Sequence, residues 1–176
     1  MAESCILCQI VNGNIASKKV YEDDNILAVL DMNGSGPGHC FIMPKEHYTI
    51  MEQVPDMLIG EMFGVANKIS SAVFESLNIQ GTNIFVENGI AAGQNVAHFL
   101  IHVIPRNEND GINLQLQPKQ LSEEEMSTVE LKLKEETKNI GYFEKAEPKR
   151  PASKPRQEEV IADEEDYLMK SLRRIP

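Results

Sequence analysis

Residues 93–106 read Gly-Gln-Asn-Val-Ala-His-Phe-Leu-Ile-His-Val-Ile-Pro-Arg, and this stretch decides the interpretation of the chain. Its apolar residues favour a strand over about 96–105. Alternation along a strand would place His98, Leu100 and His102 on one face. A glycine-bounded loop just before it offers flexible backbone amides suited to holding a phosphate. The pattern alone predicts a phosphate-ester site, with two hydrogen-bonded structural histidines as the alternative.

The rest of the chain predicts an α+β fold. An antiparallel sheet with flanking helices is favoured over repeating βαβ units, because strands, helix, strands and helix follow one another in order. Pro44 ends a nearly continuous apolar strand whose two faces we expect to be covered. The other predicted elements are strands at 17–22, 24–31, 39–44 and 83–87, a helix at 57–77, and a helix opened by a Ser122–Glu125 capping box with Met126, Val129, Leu133 and Ile140 on its apolar stripe.

Composition excludes several classes of protein. The chain has 176 residues, 41% of them hydrophobic, so it can bury a core. A net charge of −10 argues against non-specific nucleic-acid binding, which depends on Lys and Arg. No apolar run approaches the roughly 20 residues of a spanning helix, and no secretory signal opens the sequence. We therefore expect a cytoplasmic protein that binds neither nucleic acid nor membrane.

The charge distribution divides the chain into a domain at 1–143 and an extension at 144–176. The extension is proline-rich and highly charged, and it holds eight basic and eight acidic side chains, so the domain carries the whole net charge. Its first part is typical of an extended linker. The apolar residues that return from Val160 onward predict either a short helix that docks on the domain or on a protein partner, or a mobile tail.

Two cysteines near the start form a Cys5-x-x-Cys8 pair. This spacing lets two thiolates bind one tetrahedral ion, and His47 and His98 could complete a closed, structural Cys2His2 zinc site. A redox dithiol is one alternative, and free thiols beside surface histidines are another. Cys40 lies in an apolar strand and is interpreted as a buried core residue.

In their order and separations, these motifs resemble the histidine triad family of nucleotide-binding proteins. The resemblance covers about residues 5–110. Besides the cysteine pair it includes Asp31-Met-Asn-Gly-Ser-Gly-Pro-Gly-His39, Ile42-Met-Pro-Lys-Glu-His47 and the segment from Ala92 to Arg106. It implies an antiparallel α+β fold, usually a homodimer, that binds a purine nucleoside monophosphate such as AMP or GMP. It also implies the zinc-bearing branch, with Cys5, Cys8, His47 and His98 as ligands.

Leu100 departs from the family's His-x-His-x-His pattern. The resemblance makes this position the nucleophile that takes the nucleotidyl group, and a leucine side chain has no lone pair with which to attack phosphorus. His102 matches the third histidine and His39 the loop histidine, so no other histidine remains to act as nucleophile. A second departure is Glu87, where an amide commonly contacts the phosphate. A one-residue shift could bring Asn88 there instead.

The residues that would contact the nucleoside match the family pattern better than those that would contact the phosphate. Asp31 would accept hydrogen bonds from the ribose hydroxyls, while a turn or helix cap is its alternative role. The implied nucleotide contacts are Leu30, Asp31, Met32, Asn88, Gln94, Asn95, Val96 and His102.

Nucleotide binding with impaired or lost hydrolase or transferase catalysis is the preferred hypothesis. The alternatives are a hydrolase with a non-standard mechanism in which His102 is the residual catalytic residue, a protein-interaction module, or a leucine introduced to disable an enzyme.

Overall fold

A computed structural model of the chain describes residues 5–138 and residue 140. The chain divides into two compact units, the first ending at Leu116 and the second beginning at Gln117. The predicted boundary near residue 143, the linker and the tail helix all fall outside the described residues. No helix in the described part is long and apolar enough to cross a membrane.

A five-stranded antiparallel sheet forms the centre of the first unit, in the order β1-β2-β3-β5-β4. This confirms the predicted fold class. Each predicted strand is present with its ends shifted by a few residues. The bounds are Lys19–Glu22 for β1, Ile26–Leu30 for β2, Cys40–Pro44 for β3, Gly81–Phe85 for β4 and Ile101–Arg106 for β5.

The turn between β1 and β2 is set by Asp23. Its Oδ1 accepts hydrogen bonds from the backbone N–H groups of Asn25 and Ile26 at 2.8 and 2.7 Å. A side chain that takes up backbone donors in this way stabilises a tight turn. This acidic turn joins β1 and β2 into the first hairpin.

Helix α2, Asp56–Leu77, covers one face of the sheet. Its buried residues recur at helical spacing and include Met62, Ala66 and Ile69, which pack against Ile42 and Ile101 of the central strands. The helix ends at Asn78, whose φ of 50° lies in the left-handed region. The predicted helix at 57–77 is confirmed within one residue.

Helix α1, Ile6–Val11, was missed by the sequence analysis. It is only six residues long, too short for its apolar periodicity to stand out. Leu7 on this helix packs with Leu27, Val29 and Met43 on the opposite face of the sheet from α2. The cysteine pair therefore lies on an element that is docked on the core.

The predicted strand at 96–105 was wrong in its first half, because β5 begins only at Ile101. The Phe99 N–H donates to the Tyr48 carbonyl at 2.6 Å, and the His98 N–H donates to the Val96 carbonyl at 2.8 Å. These bonds take residues 98 and 99 out of any sheet ladder. The segment leading into β5 is thus held by loops rather than by a neighbouring strand.

Helix α3, Glu123–Thr137, belongs to the second unit. The Ser122 hydroxyl accepts from the Glu125 N–H at 3.2 Å, and the Glu125 carboxylate accepts from the Ser122 N–H at 2.9 Å. The predicted capping box is confirmed. Met126, Val129 and Leu133 are exposed, so the apolar stripe of this helix has no cover among the described residues.

Candidate metal centre and ligand cavity

The four predicted metal ligands converge. The ligand atoms of Cys5, Cys8, His47 and His98 all lie within 4.8 Å of one another. Cys5 and Cys8 stand at the start of α1, His47 follows the loop after β3, and His98 precedes β5. Three separate segments of the chain therefore bring four ligands to one point, where α1 docks against the sheet.

Two of the three sulfur–nitrogen distances in this cluster match a tetrahedral ion, and the third is shorter. Cys8 Sγ lies 3.1 Å from His47 Nδ1 and 3.5 Å from His98 Nδ1, and Cys5 Sγ lies 3.6 Å from His98 Nδ1. Zinc–sulfur bonds of about 2.3 Å and zinc–nitrogen bonds of about 2.0–2.1 Å would set sulfur and nitrogen about 3.6 Å apart. These four side chains could therefore bind zinc.

His98 is held in the tautomer that such a site needs. Its Nε2 lies 3.0 Å from the Pro44 carbonyl oxygen, which can only accept, so Nε2 carries the proton. Burial lowers the pKa of His98, which keeps the ring neutral. The lone pair of Nδ1 is thereby directed at the two thiols, as a second hydrogen bond orients a metal-ligating histidine.

The Cys8 thiol is unsuited to ionising by itself. Burial, and after it the neighbouring Cys5, raises the pKa of Cys8 to about 11. A divalent cation would favour the thiolate by direct ligation. The donor set therefore matches a structural zinc site better than an exposed reactive dithiol, whose thiolate needs a lowered pKa.

A cavity of about 140 Å³ adjoins the metal cluster. Two of its wall residues link the two sites, because Leu7 lies between the cysteines and His98 is a ligand. The full lining is Leu7, Phe41, Glu87, Gln94, Asn95, Val96, His98, Leu100 and His102. The structure thus confirms that the side chains at 98, 100 and 102 share one side of the segment, although only residue 102 lies in a strand.

Leu100 occupies the apolar part of this cavity. It packs with Leu27, Val29 and Met43 and is only partly buried, so one side of it remains open to the cavity. An uncharged hydrocarbon group therefore stands between the metal ligand His98 and His102. No atom of this side chain can accept a proton or attack an electrophile.

His39 forms a hydrogen bond with His102 and fixes its tautomer. The Ser35 backbone N–H donates to His39 Nδ1 at 3.0 Å, so that nitrogen is unprotonated and Nε2 carries the hydrogen. His39 Nε2 lies 3.0 Å from His102 Nδ1 and must donate to it. His102 is left with its own proton on Nε2. Sequence analysis named His39 only as the family's loop histidine and missed this contact.

Both histidines of this pair are neutral near pH 7. Burial, and after it the neighbouring His39, lowers the pKa of His102 to about 4. Burial also lowers the pKa of His39, although Asp31, whose Oδ2 lies 3.6 Å from His39 Nδ1, opposes the shift. His102 therefore presents a hydrogen-bond donor rather than a positive charge.

Two glycines fit this arrangement because a larger residue would collide. A Cβ on Gly34 would lie 2.7 Å from His39 Cβ, so the loop can approach the imidazole only through a glycine. A Cβ on Gly93 would lie 3.2 Å from Glu87 Oε1, and φ at Gly93 is +97°. The Glu87 carboxylate therefore lies beside the loop that was expected to bind phosphate.

Several amide groups of the glycine loop, residues 89–94, already donate hydrogen bonds within the protein. The backbone N–H groups of Ala92, Gly93 and Gln94 donate to carbonyl groups of the loop itself. The Gly89 N–H donates to Gln94 Oε1, and both hydrogens of the Gln94 amide donate to backbone carbonyls, those of Thr49 and Val96. The glycine loop is therefore closed on itself.

The other residues predicted to contact the nucleotide do not line this cavity. Asn88 accepts from the Met51 N–H and donates to Glu52, so its amide holds a neighbouring turn and does not line the described cavity. Asp31 is half-buried, and its Oδ1 accepts from the Asn33 N–H, so the turn-forming role considered above is present. Leu30 and Met32 are exposed, Met32 at 83% of its surface.

Replacing Cys8 tests the metal centre. We expect Cys8→Ser to lose zinc and to lower the thermal midpoint of unfolding, because the ion would no longer tie α1 to the core. The measurement is zinc content by atomic emission after dialysis. Cys40→Ala is the control, since Cys40 is buried in the core, its thiol donates to the Gly38 carbonyl, and it is outside the cluster of four ligands. Full zinc occupancy in Cys8→Ser would contradict the assignment.

The histidine pair is tested by nuclear magnetic resonance of ¹⁵N-labelled histidines. We expect His102 to show a protonated Nε2 and an unprotonated Nδ1 at pH 7, and to remain neutral as the pH falls to about 5, because its pKa is lowered to about 4. Gly34→Ala should weaken this pattern by displacing His39. A midpoint near pH 6.5 for His102 would show that the chain from Ser35 does not hold it.

Comparison with known proteins places this geometry in a family. The profile of the HIT domain matches residues 12–109, which is more than half of the chain. An adenylylsulfatase of Arabidopsis thaliana is 38% identical over 110 residues, which are 62% of this chain and 56% of that protein.

Two solved structures share the fold. A histidine triad nucleotide-binding protein from Candida albicans is 27% identical with a TM-score of 0.71, covering 78% of this chain and 100% of that one. A zinc-bound histidine triad family protein from Mycobacterium smegmatis is 31% identical with a TM-score of 0.61, covering 78% and 99%. The chain belongs to the histidine triad, or HIT, family.

Proposed function

We propose that this protein binds purine nucleotides such as AMP or GMP and does not carry out covalent nucleotidyl transfer. The observation that carries the proposal is the position of Leu100, in the cavity between His98 and His102, where the family motif places its nucleophile. Membership of the family, and relatives named for nucleotide binding and adenylylsulfate chemistry, support nucleotide as the ligand.

The remaining polar groups are arranged for binding. His39 lies between the predicted ribose carboxylate and the cavity wall: its Nδ1 is 3.6 Å from Asp31 Oδ2, and its Nε2 is 3.0 Å from His102 Nδ1. His102 offers one N–H, and Asp31 is the residue that the family resemblance assigns to the ribose hydroxyls. Such a set can orient a nucleoside without supplying a nucleophile, which is the profile of a binding protein.

A hydrolase that uses His102 to activate water is the second candidate. The hydrogen bond from His39 works against it, because it leaves the His102 proton on Nε2, the nitrogen left free to meet a ligand. A general base needs its lone pair there. A pKa of about 4 also makes His102 a weak base. The third hypothesis, a protein-interaction module, differs from both in predicting that no nucleotide binds.

Restoring the histidine tests the proposal. We expect the zinc-loaded native protein to bind AMP without measurable release of amine from a nucleoside phosphoramidate. We expect Leu100→His to release amine from the same substrate at a rate at least about 100-fold above the native background. Leu100→Gln is the matched control, since it adds polarity without a nucleophile. Native turnover that His102→Ala abolishes would favour the hydrolase, and absence of nucleotide binding would favour the interaction module.

We also propose a homodimer formed through β4 and α2. Strand β4 is an edge strand whose Ile84 and Phe85 are exposed, and edge strands offer unpaired backbone groups. Phe63 and Phe74 are eleven residues apart on one face of α2 and are also exposed. The bond from Ser70 to Thr82, 2.6 Å long, sets that face of the helix beside β4.

Phe74→Asp should convert the dimer into a monomer, because a buried charge at an apolar interface is costly. Light scattering after size exclusion measures the mass. Met57→Asp is the control, since Met57 is 75% exposed and lies on another face of the same helix. A monomeric native protein, or a Phe74→Asp variant that stays dimeric, would exclude this interface.

Two further parts of the proposal concern the cell. A cytoplasmic location suits a site built on reduced cysteine thiolates. A protein partner that contacts the C-terminal extension is supported by the apolar residues that return in its sequence from Val160 onward.

A further inference from the structure

Helix α3 presents an apolar face that no described residue covers. This α3 stripe consists of Met126, Val129 and Leu133, which are 52%, 49% and 60% exposed. Intervals of three and four residues set the three side chains on one face of the helix. A helix of 15 residues is only marginally stable in water by itself, so α3 depends on a partner for this face.

The last residues of the chain carry the same apolar spacing in reverse. Leu168, Leu172 and Ile175 follow one another at intervals of four and three residues, where the α3 stripe has three and four. In helical form each triplet would extend over about 10 Å. An antiparallel helix would therefore set each of these three residues opposite one member of the α3 stripe.

The charges also favour the antiparallel direction. The first turn of α3 holds the glutamates Glu123–Glu125, and residues 167–175 hold three basic side chains and no acidic one. These opposite charges would lie at the same end of an antiparallel pair. At the other end, Asp163–Asp166 would lie near residues 132–138, which carry three lysines and two glutamates. A parallel pair would instead bring Asp163–Asp166 close to Glu123–Glu125, and like charges would repel.

A second copy of α3 fits this face less well. The helix carries six glutamates and two lysines over Glu123–Thr137, so two copies would meet as two negatively charged surfaces. The segment 167–175 meets the same surface with positive charge. Charge complementarity thus distinguishes the end of the chain from a second α3.

We propose that residues 167–175 form a helix that packs antiparallel on the α3 stripe of the same chain. Residues 141–166 connect the two, and they suffice, because an antiparallel segment begins beside the end of α3. The second unit thereby obtains an apolar core of its own. Val160 and Ile161 precede the segment and are left for the protein partner proposed above.

Hydrogen exchange of the full-length, zinc-loaded protein, followed by mass spectrometry, tests the contact from both sides. We expect Leu172→Asp to speed exchange of the α3 amides at least about tenfold, because a charge replaces the central apolar contact. Val129→Gln should speed exchange in residues 167–175 at least about threefold. Glutamine is a better helix former than valine, so this second effect cannot come from unfolding of α3.

Met169→Asp is the matched control for Leu172→Asp. It adds the same charge to the same segment, about a quarter turn away from the apolar residues of the proposed helix. We expect it to leave exchange in α3 unchanged. If Leu172→Asp does not affect α3, or if Met169→Asp speeds its exchange equally, the proposed contact is wrong.

Carbodiimide cross-linking of a mixture of unlabelled and ¹⁵N-labelled protein identifies which chain supplies the segment. We expect links from the lysines of residues 132–138 to Asp163–Asp166, and from Lys170 to Glu123–Glu125, each within one chain. Pairs of mixed isotope content would show that a second copy supplies the segment. Links from Lys170 to the first unit alone would place the segment there, and either result would overturn the proposal.

Discussion

The hydrogen bond between His98 Nε2 and the Pro44 carbonyl is the contact on which both halves of the site depend. It turns Nδ1 toward the thiols of Cys5 and Cys8, on the helix that Leu7 packs against the sheet. The same ring forms part of the cavity wall beside Leu100. A single buried histidine thus belongs to both the metal cluster and the cavity wall. A substitution that moves the His98 ring would therefore alter both sites.

The cavity keeps the architecture of a nucleotide site while its chemistry is altered. The chain from Ser35 through His39 to His102 is intact and fixes the direction of both imidazoles. Leu100 and Glu87 then change what the cavity can accept. Leu100 places hydrocarbon where the family motif has a histidine, and Glu87 places a carboxylate on the same cavity wall.

Most of the fold and the whole metal cluster could be predicted from the sequence, because both depend on strong local patterns. The strands and α2 follow apolar periodicity, and the zinc ligands follow cysteine spacing combined with family resemblance. Helix α1 is too short to leave a clear pattern. The start of β5 depends on the Tyr48 carbonyl, a long-range hydrogen bond that no local pattern encodes. The engagement of Asn88 with Met51 and Glu52 is of the same kind.

A crystal structure of the zinc-loaded protein with AMP would test the central claim most directly. The account predicts the ribose hydroxyls within hydrogen-bond distance of Asp31 and the 5′ oxygen in the cavity, in contact with Leu100 and within reach of His102 Nε2. An AMP molecule bound elsewhere, or one whose 5′ end points away from Leu100 toward solvent, would contradict the account.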